Sequence, residues 1–201
     1  MASEMFSSLR NKPADKVVFI DRDGVINRDS KAYIKSWAEF SFLPRSLLAL
    51  KKLTQHRFRS YIITNQSAIH RKMMSLKTLH QIHDNMMREV ALSGGRIEDI
   101  FFCPHLPEER CRCRKPRPGL VLSAKEKYHL DISAAYMIGD SAKDIECGKR
   151  AGCGVTLLVK TGHYADALTS LSSSGIVPDV HAFDLYEAAI WIIDHYARTH
   201  G

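Results

Sequence analysis

Val17-Val18-Phe19-Ile20-Asp21-Arg22-Asp23-Gly24-Val25-Ile26-Asn27 is the stretch from which the rest of the chain can be read. Its first four residues are apolar and three of them are β-branched, and an Asp-Gly turn follows. A run this short, bounded by a turn signal, is a buried strand rather than a helix. Asp21 and Asp23 leave that strand at i and i+2 and enter the glycine turn. Asp-Gly is common punctuation after a strand, and that is the simplest reading. The alternative is chemical. Two carboxylates so placed can share a metal ion, and a carboxylate can attack phosphorus to form an aspartyl-phosphate.

Outward from this strand the pattern alternates. Further apolar runs, β-branched or aromatic, lie at Tyr61 to Ile63, Ile97 to Phe102, Ala135 to Ile138 and Val155 to Val159. Between them, apolar residues recur at helical spacing. Leu47, Leu50 and Leu53 follow Pro44, which suits a first helical turn. Leu76, Leu79, His83, Met86 and Val90 follow Ser75, a plausible N-cap. Leu120, Ala124 and Tyr128 follow Pro118, a short helix around Ile145 and Lys149 ends at Gly152, and Leu185 to Tyr196 forms a last amphipathic helix. Alternation of this kind builds right-handed βαβ units and an α/β fold of three layers, a central parallel sheet with helices on both faces. Residues 1–15 read as a loose leader, and Leu168 to Pro178, rich in serine, as the weakest-structured part. Ligands of such sheets bind outside the carboxyl ends of the strands. Asp21, Thr64, Cys103 and Asp140 all fall there, which core packing alone does not require.

The 201 residues fit one domain that buries about 70% of its unfolded surface. No apolar run approaches the roughly 18 residues of a membrane span. Residues 1–16 contain no secretory signal, so the cytosol is the expected compartment. Five cysteines there suggest metal ligands or buried thiols rather than disulfides. The formal charge of +7 points to an anionic partner. Five cations, Arg110, Arg112, Arg114, Lys115 and Arg117, fall within eight positions.

Three further segments carry chemistry. Gly139-Asp140-Ser141-Ala142-Lys143-Asp144 could complete an oxygen-ligand Mg²⁺ site through Asp140, or simply cap a helix with Asp144 complementing the dipole. Thr64-Asn65-Gln66-Ser67 offers hydroxyl and amide groups where a phosphate would sit. Arg114-Lys115-Pro116-Arg117-Pro118-Gly119 supplies cations before a helix, suited to charge on a phosphoryl group in transit. Taken in order with the first motif, these resemble the haloacid dehalogenase superfamily of phosphohydrolases. The resemblance implies Asp21 as nucleophile, Asp23 as general acid and then base, and Thr64 and Lys115 as holders of the phosphoryl group. It also implies Mg²⁺ on Asp21, Asp23 and Asp140.

Cys103-x-His105-x₅-Cys111-x-Cys113 is the second signal. Three thiolates and one imidazole form a closed tetrahedral set, which argues for structural Zn²⁺. The loop between them is almost without apolar residues, so burial cannot hold it. With this loop included, the chain resembles the heptose 1,7-bisphosphate 7-phosphatase branch of the superfamily. That likeness makes residues 29–36, with Asp29 and Tyr33, a substrate loop, adds Asn65, Gln66 and Ser67 to the substrate contacts, and makes Arg114 a recognition cation. Ala68, His70 and Lys72 depart from the branch's pattern, and Ser141 stands where some members have lysine. Neither inter-motif gap is long enough for a cap domain. The expected enzyme is thus a capless, Mg²⁺-dependent monomer acting on a phosphorylated sugar, with no membrane or nucleic-acid partner. The rival readings are a histidinol-phosphate phosphatase and a nucleic-acid 3′-phosphatase or zinc-containing nucleic-acid-binding module. The last two need aromatic residues beside the cations for base stacking, and 110–117 has none. His56, His70, His80, His129 and His163 have no ligand spacing and are expected in surface or satisfied core roles.

Overall fold

The computed structural model describes residues 16–200, so the expected leader at 1–15 lies outside the described residues. Six strands form one sheet: β1 (Val17–Ile20), β2 (Arg59–Asn65), β3 (Asp99–Cys103), β4 (Tyr136–Gly139), β5 (Val155–Val159) and β6 (Val180–Ala182). All pair in parallel, in the order β3-β2-β1-β4-β5-β6. The helices are α1 (Ser46–Gln55), α2 (Leu76–Leu92), α3 (Gly119–Tyr128), α4 (Ala142–Ala151), α5 (Tyr164–Ser174) and α6 (Leu185–His200). None is long and apolar enough to cross a membrane. No cap domain interrupts the connections: β1 reaches β2 through a three-residue 3-10 turn and α1, and β2 reaches β3 through α2.

Strand alternation divides the core into two faces. Val18 and Ile20 pack with Leu50, Leu53, Leu79 and Ile192 of α1, α2 and α6. Val17 and Phe19 pack with Leu120, Val121 and Cys147 of α3 and α4. Each large side chain removed from water on these faces contributes about 1.5–3 kcal/mol. After β3 the chain crosses β1 to start the other half of the sheet at β4. The carboxyl ends of β1 and β4 are therefore the topological switch point, where connections diverge and leave a crevice.

Three details differ from the sequence reading. Pro44 lies before α1, because Arg45 adopts a left-handed backbone (φ 62°) and the helix starts at Ser46. Most of the segment expected to be weakly structured is α5, whose Ala167 and Leu171 bury against Ile145 and Leu158. Its serine hydroxyls donate to carbonyls one turn back, as Ser173 does to Thr169 (3.0 Å). The edge strand β6 has no counterpart in the sequence reading. Ser75 caps α2 as expected, accepting from the Thr78 amide at 3.0 Å.

Candidate active site

The switch point is lined with acids. Asp21 continues β1, its amide donating to the Ile138 carbonyl of β4 at 2.9 Å. Asp140 follows β4, and Asp144 stands on the first turn of α4. The three carboxylates are buried, and one oxygen from each lies within 4.8 Å of the others. Lys115 reaches into this group. Its Nζ is 2.7 Å from Asp21 Oδ1, 2.6 Å from Asp144 Oδ1 and 2.7 Å from the Ile63 carbonyl. Burial pushes Asp21 well above the usual carboxylate range; Lys115 opposes this, while Asp144 and Asp140 add to it. Burial, then Asp144, push Asp140 up to about 6. Burial alone would lower Lys115, but Asp144 and Asp21 hold it well above its ordinary value. Three buried carboxylates facing one ammonium leave an excess of negative charge over oxygen donors, the donor set of a hard divalent cation.

Each group is held from behind. Asp144 Oδ2 accepts from the Ser141 amide (3.0 Å) and hydroxyl (2.6 Å), a capping box at the start of α4. Asn65 accepts from the Lys115 amide (3.1 Å) and donates to its carbonyl (3.3 Å). Asp140 Oδ2 accepts from the His163 amide at 2.9 Å. Gly24 and Gly162 give Asp140 its room: a Cβ on either would lie 2.3 or 1.8 Å from Asp140 Oδ2, and Gly24 also has φ +82°.

The Asp23 carboxylate is not part of that acidic group. It turns to Arg22, which donates from Nη2 to both its oxygens (2.7 and 2.8 Å) and from Nε at 3.2 Å. Asn27 Nδ2 (2.9 Å) and Gln66 Nε2 (2.7 Å) complete its shell, and Gln66 also donates to Thr64 Oγ1 at 2.9 Å. Burial would raise Asp23, but the Arg22 charge and these hydrogen bonds hold it below the usual range. Of the acids expected to hold magnesium, Asp21 and Asp140 share the acidic group with Asp144, while the Asp23 side chain faces Arg22 and Gln66.

These groups open onto a cleft of about 360 Å³ that is also lined by Asp29, Tyr33, Ser67, Arg114 and His163. Asp29 and His163 meet across it, Oδ2 to Nε2, at 2.8 Å. Thr161 Oγ1 donates to the Gly24 carbonyl at 2.6 Å and ties the same loop down. His163, expected in a bland role, is a wall of the cleft. Arg22, Asp144 and His163 were missed as site residues. The spacing of Asp140 and Asp144 was the available signal for Asp144; for His163 no local pattern existed.

Beside the cleft, Cys103, His105, Cys111 and Cys113 converge, as their spacing predicts. Cys113 Sγ lies 3.2 Å from Cys103 Sγ and 3.4 Å from Cys111 Sγ, and His105 Nδ1 lies 3.3 Å from Cys113 Sγ. The four donor atoms fall within 4.8 Å of one another. Three sulfurs and one imidazole nitrogen suit zinc. Arg114 Nη1 donates to the His105 carbonyl at 2.9 Å, linking this cluster to the cleft. Cys147 and Cys153 stand apart as buried thiols.

A family profile described as HAD-hydrolase-like matches residues 112–188. The D-glycero-beta-D-manno-heptose-1,7-bisphosphate 7-phosphatase of Bordetella bronchiseptica is 42% identical, over 74% of this chain and 82% of that protein. The D-glycero-alpha-D-manno-heptose-1,7-bisphosphate 7-phosphatase of Photorhabdus laumondii is 39% identical, over 74% and 84%. Among solved structures, the D,D-heptose 1,7-bisphosphate phosphatase of B. bronchiseptica, complexed with magnesium and phosphate, superposes with a TM-score of 0.83 at 37% identity. That match covers 90% of this chain and 99% of the other. Sheet order, strand-end acids and relatives together define a phosphatase of the haloacid dehalogenase type. Within that class, the chain belongs to the D-glycero-D-manno-heptose-1,7-bisphosphate 7-phosphatase family.

Proposed function

We propose that the enzyme removes the 7-phosphate of D-glycero-D-manno-heptose 1,7-bisphosphate through an aspartyl-phosphate on Asp21, for cell-envelope heptose synthesis. The observation that supports this most is the coincidence, in one cleft, of Asp21, Lys115 and the acidic group with Asp29, Tyr33 and Arg114. Relatives at 42 and 39% identity act on the two anomers of this bisphosphate.

Asp21 attacks phosphorus and Lys115 neutralises charge on the transferring group. Asp23 protonates the departing sugar oxygen, then takes a proton from the water that cleaves the acyl-phosphate. Its resting state is the carboxylate, and an arriving phosphate dianion favours its protonation by adding negative charge. Magnesium held by Asp21, Asp140 and Asp144 would neutralise phosphate charge that otherwise repels the nucleophile. Gln66 bridges Thr64 and Asp23 and so links the phosphoryl pocket to the proton donor. Zinc held by Cys103, His105, Cys111 and Cys113 would fix the loop that presents Arg114, whose planar fork suits the distal phosphate.

Phosphate release from both heptose bisphosphate anomers, histidinol phosphate and a 3′-phosphorylated oligonucleotide tests the reading, with product position assigned by NMR. The expected result is turnover highest on a heptose bisphosphate, with the 1-phosphate retained. Faster hydrolysis of histidinol phosphate or the oligonucleotide, or loss of the 1-phosphate, would overturn it.

A further inference from the structure

Arg22 is fully buried, stands between Asp21 and Asp23 in the chain and lies at the floor of the cleft they line. One edge of its guanidinium grips Asp23. The other points away, and Nη1 lies 3.2 Å from Nε2 of His83 on α2. An arginine has only donors, so this nitrogen of His83 accepts, and the ring is a neutral imidazole. Burial and then the Arg22 charge press the imidazolium form down to about 3, so the ring stays neutral wherever the enzyme works. His83 is 4% exposed, on the apolar face of α2, and its ring meets the edge of Phe102 on β3 at 5.9 Å. An apolar residue would satisfy that packing, yet the position holds a side chain that receives the far edge of Arg22.

We propose that His83 is a positioning residue for proton transfer: by accepting from Arg22 it fixes the guanidinium that orients the Asp23 carboxyl group toward the leaving oxygen. The inference rests on Asp23 as the acid–base group. Without an acceptor at position 83, a buried cationic donor is left unpaired, and the guanidinium turns to recover a partner. Asp23, held at both oxygens by the same group, moves with it. Phosphoryl transfer to Asp21 does not depend on this network, because Lys115 and the acidic group are held by Asn65 and Ser141 instead. The defect should therefore follow the leaving group. In the first half-reaction a sugar alkoxide needs the proton, whereas p-nitrophenolate departs without it; cleavage of the acyl-phosphate, where Asp23 is the base, slows for both.

The test compares His83→Leu and His83→Gln on heptose bisphosphate and p-nitrophenyl phosphate, reading leaving-group release in a single turnover by rapid quench and stopped flow. His83→Leu should lower the single-turnover rate of sugar release roughly tenfold or more, with the burst of p-nitrophenolate release reduced far less and binding of either substrate unchanged. His83→Gln, whose amide oxygen can accept from Arg22, should restore most of the loss. Should His83→Leu fail to fold, His83→Phe replaces it as a non-acceptor of similar shape. An equal fall on both substrates, unrescued by glutamine, overturns the inference in favour of packing alone. Asp23→Asn separates the two levels. If it shows the leaving-group dependence and the His83 variants do not, the inference alone fails. If it shows none, the Asp23 assignment fails and takes the inference with it.

Discussion

The acidic group and the sulfur group stand side by side but are held in opposite ways. Asp21 and Asp140 leave buried strands, and Asp144 sits in a capping box, so sheet and helix fix all three before any ion arrives. Of the sulfur group only Cys103 ends a strand; His105, Cys111 and Cys113 hang from the loop beyond it. That loop is held mainly by polar contacts, with Arg114 donating to His105 and Arg117 to the Arg110 and Cys111 carbonyls. Charge repulsion strains the first cluster, and the fold overcomes it. In the second, a bound metal would itself supply folding free energy. Losing magnesium should thus stop chemistry while sparing structure, and losing zinc should do more to structure.

The largest effect should come from Asp21→Asn. Activity should fall at least about a thousandfold, the scale of losing a covalent nucleophile, because an amide cannot form the acyl-phosphate. Melting temperature should hold or rise, since burial and two neighbouring acids already oppose the charge at this position. A large fall in melting temperature would break the contrast between the clusters. Next comes the sulfur group. The purified protein should carry about one equivalent of zinc through dialysis against magnesium. Cys111→Ser or strong chelation should lower stability by several kcal/mol, with proteolysis concentrated at 103–113. Metal analysis and thermal unfolding check both.

A smaller effect is expected where the two regions meet. Arg114→Ala should lower kcat/KM for the heptose bisphosphate by about 1.5–3 kcal/mol, the worth of a hydrogen bond to a charged group. On p-nitrophenyl phosphate, which lacks a second phosphate, the fall should be much less. Equal losses would move Arg114 into the phosphoryl site. The smallest concerns acid stability. His83 binds its proton at about 3 when folded, against 6.5 for the ordinary group. The unfolded chain therefore takes up more protons between those values, and stability present above pH 6.5 is lost as pH falls toward 3. At pH 5 the loss is about 2 kcal/mol. His83→Gln should flatten this part of the stability profile, measured by urea unfolding from pH 7 to 5.

What could be read beforehand followed local pattern. The β1 motif, the Ser75 cap and the cysteine spacing are contiguous signals with short-range causes, and each appears in the fold where its spacing puts it. The residues that were missed depend on contacts between distant segments. Asp144 reads as a helix-dipole complement until Lys115, far along the chain in sequence, is seen 2.6 Å from it. The direction of the Asp23 carboxylate, toward Arg22 and Gln66, likewise has no signal in the spacing of the motif. His163 joins the cleft only because β5 lies beside β4, which brings its amide to Asp140. α5 was misjudged for its serines, whose hydroxyls bond back to the helix rather than break it.

The account turns on covalent phosphate at Asp21, and acid-quench labelling tests it most directly. Enzyme mixed rapidly with heptose bisphosphate radiolabelled at the 7-phosphate, then quenched in acid, should carry label on the peptide containing Asp21. Substrate labelled at the 1-phosphate should leave the protein unlabelled. Label absent from the protein during turnover, or transferred from the 1-position, would contradict the mechanism and the regiochemistry respectively.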